Sequence, residues 1–248
     1  MTLRLLSYNI RFGGVGRERA LAAVINGCEP ELVILQEATR PDVVKALSSA
    51  CGMGSWGASF GDSVAFLSRT GVARHEWRRV NVARRRYLEV LLGDGKTRVF
   101  GVHLSALHSN VTERRRTAEV TGILRQTAES RDQFHVMLGD FNTVAAADPF
   151  DWRQLPMRLR ALLWMSGGPV RWRAHAELLA AGYADAYRTL HADPGYTFPA
   201  WEPHIRLDYV FVPARAASLV TRCEVVHAPG AREASDHFPL LAEIAIPT

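Results

Sequence analysis

An apolar run, Phe134, Val136, Met137 and Leu138, stops abruptly at Gly139-Asp140-Phe141-Asn142-Thr143. Read as a buried strand from Gln133 to Thr143, it delivers Asp140 and Asn142 to the strand's C-terminal edge, on one face, while Phe141 points the other way into the core. That edge is where α/β proteins place their chemistry. Asn9 and Glu37 end or follow two further strand-like stretches, and an amide with a carboxylate at neighbouring strand ends is an oxygen-donor pattern suited to a hard cation. His103 ends a strand at Val102-His103-Leu104, Asp208 lies within Ile205 to Val212, and Asp236-His237 opens the last strand, so acid–base side chains recur at strand ends. Each has an ordinary alternative on its own: Asn9 as a turn former, Glu37 as a helix N-terminal charge, Asp236-His237 as an incidental pair.

The elements that must position these groups can be read in order. Leu3 to Ile10 is a core strand that runs into a Gly-rich loop at Gly13-Gly14. Leu21, Val24, Ile25 and Cys28 have the spacing of an amphipathic helix, closed by Glu29-Pro30. The strand Leu32 to Leu35 then carries Gln36-Glu37 at its tip, and Pro41 to Ala50 reads as a helix. Short strands follow at Ser63 to Ser68, Val72 to Trp77, Tyr87 to Leu92 and Thr97 to Leu104, with turns between several of them, as in an antiparallel meander. Val111 to Glu129 is expected to be a helix with Val120, Ile123 and Leu124 inward and Arg114 to Arg116 outward. Between Asp148 and Gly182 the text is irregular, and helices are expected from Pro156 to Met165 and from Ala174 to Ala181. A strand ending at Val225-Val226 and a last strand from Phe238 to Ile246 complete the set.

With 248 residues, 48% of them hydrophobic, and no low-complexity tract or linker, residues 1–248 are expected to form one domain. Met1-Thr2-Leu3-Arg4 leads straight into a strand pattern, and no run approaches the roughly 18 apolar residues of a membrane span. The expectation is a soluble, cytoplasmic protein without stable membrane insertion; no protein partner can be inferred. Cys28, Cys51 and Cys223 are scattered and odd in number, which supports packing roles over a zinc site or a disulfide framework. The net charge of +5 comes with arginine clusters at 78–79, 84–86 and 114–116. Arginine's planar fork suits phosphate oxygens, so a polyanionic substrate such as nucleic acid is one reading and solvated helix faces the other. Trp152, Trp164 and Trp172 interleave with Arg153, Arg158, Arg160, Arg171 and Arg173, either as a surface that stacks bases or rests on lipid headgroups, or as an excursion whose Trp residues pack on the core. The packing reading is the expected one.

Taken together, Ser-Tyr-Asn (7–9), Leu-Gln-Glu (35–37), Val-His-Leu (102–104), Gly-Asp-Phe-Asn (139–142), Arg-Leu-Asp-Tyr (206–209) and Ser-Asp-His (235–237) stand in an order that resembles the endonuclease/exonuclease/phosphatase superfamily of metal-dependent phosphoesterases, which includes deoxyribonuclease I. The resemblance implies a four-layer α/β/β/α sandwich of two packed mixed β-sheets flanked by helices, with the site at one end of the sheets. It also implies roles. Glu37, with Asn9 beside it and Asp236 directly or through water, would bind Mg²⁺ or Mn²⁺. Asp140 would orient and deprotonate the attacking water, and Asn142 would fix the phosphate. His237, held by Asp208, would donate to the phosphoryl oxygen, and His103 would be a second phosphate ligand or a proton donor to the leaving oxygen. Arg115, Arg171 and Arg206 are the candidate substrate-binding arginines.

The chain departs from several branches. Ile205 and His103 stand where the abasic-site endonucleases carry tryptophan and tyrosine, and Glu202-Pro203-His204 follows Trp201 in place of the Trp-Cys-Asp-Arg of the inositide 5-phosphatases. A long hydrophobic hairpin of the sphingomyelinase kind is missing, with only Leu159 to Trp164 as a substitute. The expectation is a nuclease of low sequence preference acting on DNA or RNA. The alternative is a phosphatase or phosphodiesterase acting on a small metabolite or lipid headgroup.

Overall fold

The computed structural model describes residues 2–83, 85–107, 109–130, 133–148, 151, 153, 157, 160–161, 164 and 170–246. Strand β1 (Thr2–Asn9) alternates strictly: Leu3 and Leu5 face one apolar cluster, Leu6 and Tyr8 another. Helices α1 (Glu18–Cys28) and α2 (Pro41–Ala50) bury Leu21, Val24, Ile25, Val43, Val44 and Leu47 against that second face, with β2 (Leu32–Gln36) between them in sequence. Short β3 (Ser55–Gly57) and β4 (Val64–Ser68) follow. Then come β5 (Val72–Arg78), β6 (Tyr87–Leu92), β7 (Arg98–His103), α3 (Asn110–Gln126) and β8 (His135–Asp140). The remainder comprises α4 (Ala174–Ala180), β9 (Tyr183–Asp185), α5 (Ala186–Leu190), β10 (Asp208–Pro213), β11 (Val220–Val225), α6 (Ala231–Ala234) and β12 (Leu240–Ala245).

Two six-stranded sheets result, ordered β11-β12-β1-β2-β4-β3 and β5-β6-β7-β8-β10-β9. Both are mixed, since β1 pairs parallel with β2 and β7 parallel with β8 while their other neighbours are antiparallel. Leu3, Leu5, Ile34 and Phe66 of the first sheet meet Val90, Val99, Val136, Leu138 and Val210 of the second in the central layer. The first sheet's outer face carries α1 and α2, and the second's packs Phe100, Met137, Tyr209 and Phe211 against α3 and α4 through Val120, Ile123, Leu124 and Leu178. The four layers of the expected sandwich are therefore present.

Several local expectations need correction. The expected four-strand meander is split between sheets: β4 pairs with β2 and β3, and only β5, β6 and β7 run on as neighbours. Strands β3 and β9 and helix α5 are too short to carry a periodic signal. The last strand begins at Leu240 because Pro239 offers no N–H to a ladder. The helix expected from Pro156 to Met165 falls mostly outside the described residues.

One backbone position keeps the central strands in register. Gly139 has φ +148°, and a Cβ there would lie 1.9 Å from the Val102 carbonyl oxygen on the neighbouring strand. Gly139→Ala is expected to push β8 off β7 and lower stability by about 3 kcal/mol, as strained backbone and a clash together do. Urea denaturation checks this, and an unchanged midpoint would show that the strands part without penalty.

Candidate active site

Register decides which side chains meet. In β8, Val136 and Leu138 face the other sheet, so Asp140 continues on that face. The same parity carries Asp208 on β10 (with Val210 and Val212), His103 on β7 (with Val99) and Asn9 on β1 (with Leu3 and Leu5). Pairing places His103 and Asp208 directly beside Asp140 on either side. The central layer thus ends, at one rim, in a row of polar groups instead of apolar ones. Asn9 crosses from the opposite sheet and donates Nδ2–H to Asp140 Oδ2 at 3.0 Å. Asp140 Oδ1 accepts the Asn142 backbone N–H at 2.9 Å, in a loop where Asn142 takes φ +50° and Phe141 turns away into the outer core, as its parity requires. Asn142 Nδ2 donates to the Leu104 carbonyl at 3.3 Å.

His237 lies on the same patch and is buried. Its Nδ1 bonds Asp208 Oδ2 at 2.9 Å, and its ring lies 4.8 Å from that of Phe198. Burial acts to lower the imidazole pKa, but the Asp208 carboxylate, by charge and hydrogen bond, with Asp140 and Asp236, overrides it and raises the value to about 9. Asp140 is raised to about 7, first by burial and also by the like charge of Asp208, against the favourable pull of His237, Asn142 and Asn9. His103 goes the other way: burial, then Arg85 and His237, hold it well below the ordinary imidazole range. Its Nε2 is 3.7 Å from Asp140 Oδ2, so with a neutral ring this is a polar contact and no ion pair. His103 Nδ1 and Asp208 Oδ1 are buried without a hydrogen-bond partner among the described residues, which marks the patch as built for water or ligand atoms.

Glu37, Asn9 and Asp236 are gathered by one loop. Glu37 Oε2 accepts the Phe12 N–H at 2.6 Å, Asn9 Oδ1 accepts the Arg11 N–H at 3.0 Å, and Arg11 Nε is 3.4 Å from Asp236 Oδ2. Arg11, Phe12 and Glu37 all take left-handed φ (50°, 48° and 56°), a concentration of strain of the kind found at functional sites. Ser235 Oγ fixes the far side by donating to the Asn9 carbonyl at 2.6 Å. Arg17 Nη2 bonds the Ile10 carbonyl at 2.9 Å, and the guanidinium also reaches the carbonyls of Arg11 and Ala234. Among the described residues no three His, Cys, Asp or Glu side chains form a cage for an ion. The donor set nevertheless fits an ion of the Mg²⁺ class, which is held through one or two carboxylates plus water and substrate oxygens. Glu37 Oε1 and a second lone pair on Asn9 Oδ1 supply such oxygens.

The three candidate substrate-binding arginines fare differently. Arg206 is fully buried, with Nε 3.0 Å from Asp148 Oδ2, Nη1 3.0 Å from Asp185 Oδ1 and its guanidinium 4.5 Å over the Tyr209 ring. Its charge is consumed in the fold, so its assignment to substrate is corrected. Arg115 is half-exposed on α3, 3.8 Å from Glu119. Arg171 is exposed, and its backbone N–H donates to Asn110 Oδ1 at 3.0 Å. Arg116, expected to face outward, is buried and pairs with Glu113 at 2.8 Å. Glu113 carries no signal in the sequence, where it reads as one charge on a helix face. In the structure its Oε1 accepts from Thr143 Oγ1 (3.0 Å), Arg173 N (2.7 Å) and Ala174 N (2.8 Å), which ties the loop after Asn142 to the loop bearing Arg171. The expected packing of the Trp residues holds only in part: Trp172 is half-buried with Arg116 5.9 Å over its ring, Trp164 is 80% exposed, and Trp152 lies outside the described residues.

A sequence profile of the Endonuclease/Exonuclease/phosphatase family matches residues 6–237. The uncharacterized protein YbhP of Escherichia coli K12 is 28% identical over 144 residues, 58% of this chain and 46% of that protein, so the chain matches about half the length of this relative. An AP endonuclease from Archaeoglobus fulgidus superposes with a TM-score of 0.74 at 18% identity, covering 98% of this chain and 100% of that one. The 3′ phosphatase NExo from Neisseria, bound to a product DNA hairpin, does so with a TM-score of 0.70 at 18% identity, covering 98% and 100%. At these identities the two structures establish a shared fold.

The Asp208–His237 pair makes a prediction for the metal-free protein. Because the folded pKa of His237 lies above the unfolded value, the pair's stabilisation is fully present below about pH 6.5 and is lost as pH rises through about 9. NMR titration should place the imidazole midpoint near 9. In Asp208→Asn the midpoint should fall, because burial is then opposed only by Asp140 and Asp236. A wild-type midpoint near 6.5 would contradict the charge assignment.

Proposed function

Since the chain belongs to the endonuclease/exonuclease/phosphatase family, we propose that it is a divalent-metal-dependent phosphodiester hydrolase, most simply a nuclease of low sequence preference acting on DNA or RNA. The observation that carries the reading is the buried row His103, Asp140, Asp208 with Asn9 and His237 at the rim of the two sheets: a carboxylate of pKa about 7 beside a cationic imidazole of pKa about 9. A general base is most effective when its pKa lies near the working pH. Asp140 takes the proton of a water whose oxygen attacks phosphorus, with Asn9 and the Asn142 N–H fixing the carboxylate's direction. His237, kept protonated by Asp208, donates to the non-bridging oxygen on which charge builds up. His103 is neutral, so of its two expected roles the phosphate or water hydrogen bond fits better than proton donation to the leaving oxygen. Glu37, Asn9 and Asp236 would hold Mg²⁺ or Mn²⁺, which supplies Lewis-acid neutralisation of the phosphate charge when bound.

Nucleic acid is favoured as substrate by the net charge of +5 and by Arg115 and Arg171, which remain on the surface around α3 and its neighbouring loop. The solved neighbours with this fold include enzymes of DNA, an AP endonuclease and a DNA-bound 3′ phosphatase. No helix among the described residues is long and apolar enough to cross a membrane.

Plasmid DNA, a single-stranded oligonucleotide, RNA, sphingomyelin and bis-p-nitrophenyl phosphate, each with Mg²⁺, Mn²⁺ or EDTA, form the direct assay. Hydrolysis of nucleic acid should be lost in EDTA and fall about 10²–10⁴-fold in Asp140→Asn with folding intact, as removal of a general base does. Glu37→Ala should weaken metal binding and activity together. Wild-type rates in EDTA or in Asp140→Asn would sink the mechanism.

A second prediction separates polymer from small substrate. If Arg171 or Arg115 binds backbone phosphates, charge reversal should raise KM for DNA and reduce the log–log salt slope by about 0.7–0.9 for each phosphate no longer neutralised. Hydrolysis of the aryl phosphodiester should change little. An unchanged KM and slope would favour the metabolite or lipid-headgroup reading.

A further inference from the structure

Two large aromatic rings stand largely in solvent beside the site: Phe12 is 77% exposed and Trp201 59%. Phe12 is also in the left-handed region at φ +48°, where a bulky aromatic is uncommon. Its backbone is held there, because its N–H donates to Glu37 Oε2 and the next N–H, that of Gly13, to the Glu37 carbonyl at 3.0 Å. Trp201 is held comparably. The preceding residue's N–H, from Ala200, donates to the Asp236 carbonyl at 2.7 Å, and the indole lies 6.3 Å edge-on to Phe198, which itself lies 4.8 Å from His237. Arg11 adjoins Phe12, its guanidinium 5.5 Å from the ring centroid and its Nε 3.4 Å from Asp236 Oδ2. Phe12 is thus linked to Asp236 through Arg11, and Trp201 to the same residue through the Ala200 N–H and to His237 through Phe198, so both exposed rings border the phosphate-handling residues.

We propose that Phe12 and Trp201 are stacking platforms for unpaired nucleobases flanking the site of attack, so that the substrate is a single-stranded or locally unpaired nucleic acid. This rests on the nuclease reading and deepens it. A base stacked on a rigid ring needs no edge readout, which suits low sequence preference, and pinned backbones limit the ordering entropy on binding. Arg11 completes the surface as a planar cation within reach of a phosphate or a base face. In a paired duplex both base faces are already covered, so these rings would find no partner.

The test compares kcat/KM on a thymidine oligonucleotide with that on the same strand carrying tetrahydrofuran abasic residues around the cleavage position, with Mg²⁺ or Mn²⁺ present. Wild-type protein should prefer the base-bearing strand by about tenfold, the order that base–aromatic stacking gives. Phe12→Leu and Trp201→Leu should each bring that ratio toward unity, and Trp201→Phe should keep most of it; unchanged melting temperatures show that all variants are folded. No wild-type preference, or a preference unmoved by both leucine variants, overturns the platforms while leaving the nuclease reading intact. Hydrolysis of neither strand, with turnover of bis-p-nitrophenyl phosphate retained, overturns both. Binding to phosphatidylcholine–sphingomyelin vesicles that the leucine variants abolish, without base preference, assigns the rings to a lipid surface instead.

Discussion

The carboxylate of Asp140 is 2% exposed at the rim where two sheets meet, and the site is a set of answers to the problem of keeping it there. An unpaired carboxylate in such a place is driven to protonate. Hydrogen bonds from Asn9 on the facing sheet and from the Asn142 N–H, together with the nearby imidazolium of His237, hold its pKa at about 7 instead of letting burial carry it further. Asp208 then has two opposing effects. It repels Asp140, and it keeps His237 charged, which attracts Asp140. The outcome is one group poised to accept a proton and one that retains its own across the neutral range.

Geometry at this rim depends on features remote from it in sequence. The hydrogen bond from Asn9 requires the sheets to pack at a fixed offset, which the interlocked layer of Leu5, Ile34, Val136 and Leu138 enforces. Glu113, buried on α3, binds the loop that follows Asn142 to the loop that carries Arg171, so one helix-borne carboxylate couples the two loops. Arg206, just before Asp208 in sequence, forms a buried ion cluster with Asp148 and Asp185. Such clusters contribute little net stability after desolvation but are destabilising when broken on one side.

Much of this was legible in the sequence because strand parity is local. The alternation that sends Phe141 outward and Asp140 inward is visible within Gly139 to Asn142, and the ordered motifs from Tyr8 to His237 carried the sandwich. Partnerships between distant residues were not legible. Arg206 and Arg116 look like phosphate-binding or solvated arginines until Asp148, Asp185 and Glu113 are brought against them by folding. The transfer of β4 to the first sheet is decided by its pairing with β2, more than twenty positions back, while the turn that follows it at Thr70-Gly71 resembles any hairpin turn. The low pKa of His103 depends first on burial and then on Arg85 and His237, and leaves no mark near position 103.

The central claim is that the two sheets act through one carboxylate, with Asn9 working on Asp140. A double-mutant cycle on turnover, using Asn9→Ala, Asp140→Asn and the pair at saturating metal, tests it most directly. Strong non-additivity is predicted, with the double variant scarcely slower than Asp140→Asn, as for residues that function as a unit. Fully multiplicative losses would contradict the account, because Asn9 would then be serving the reaction through the metal alone and not through Asp140.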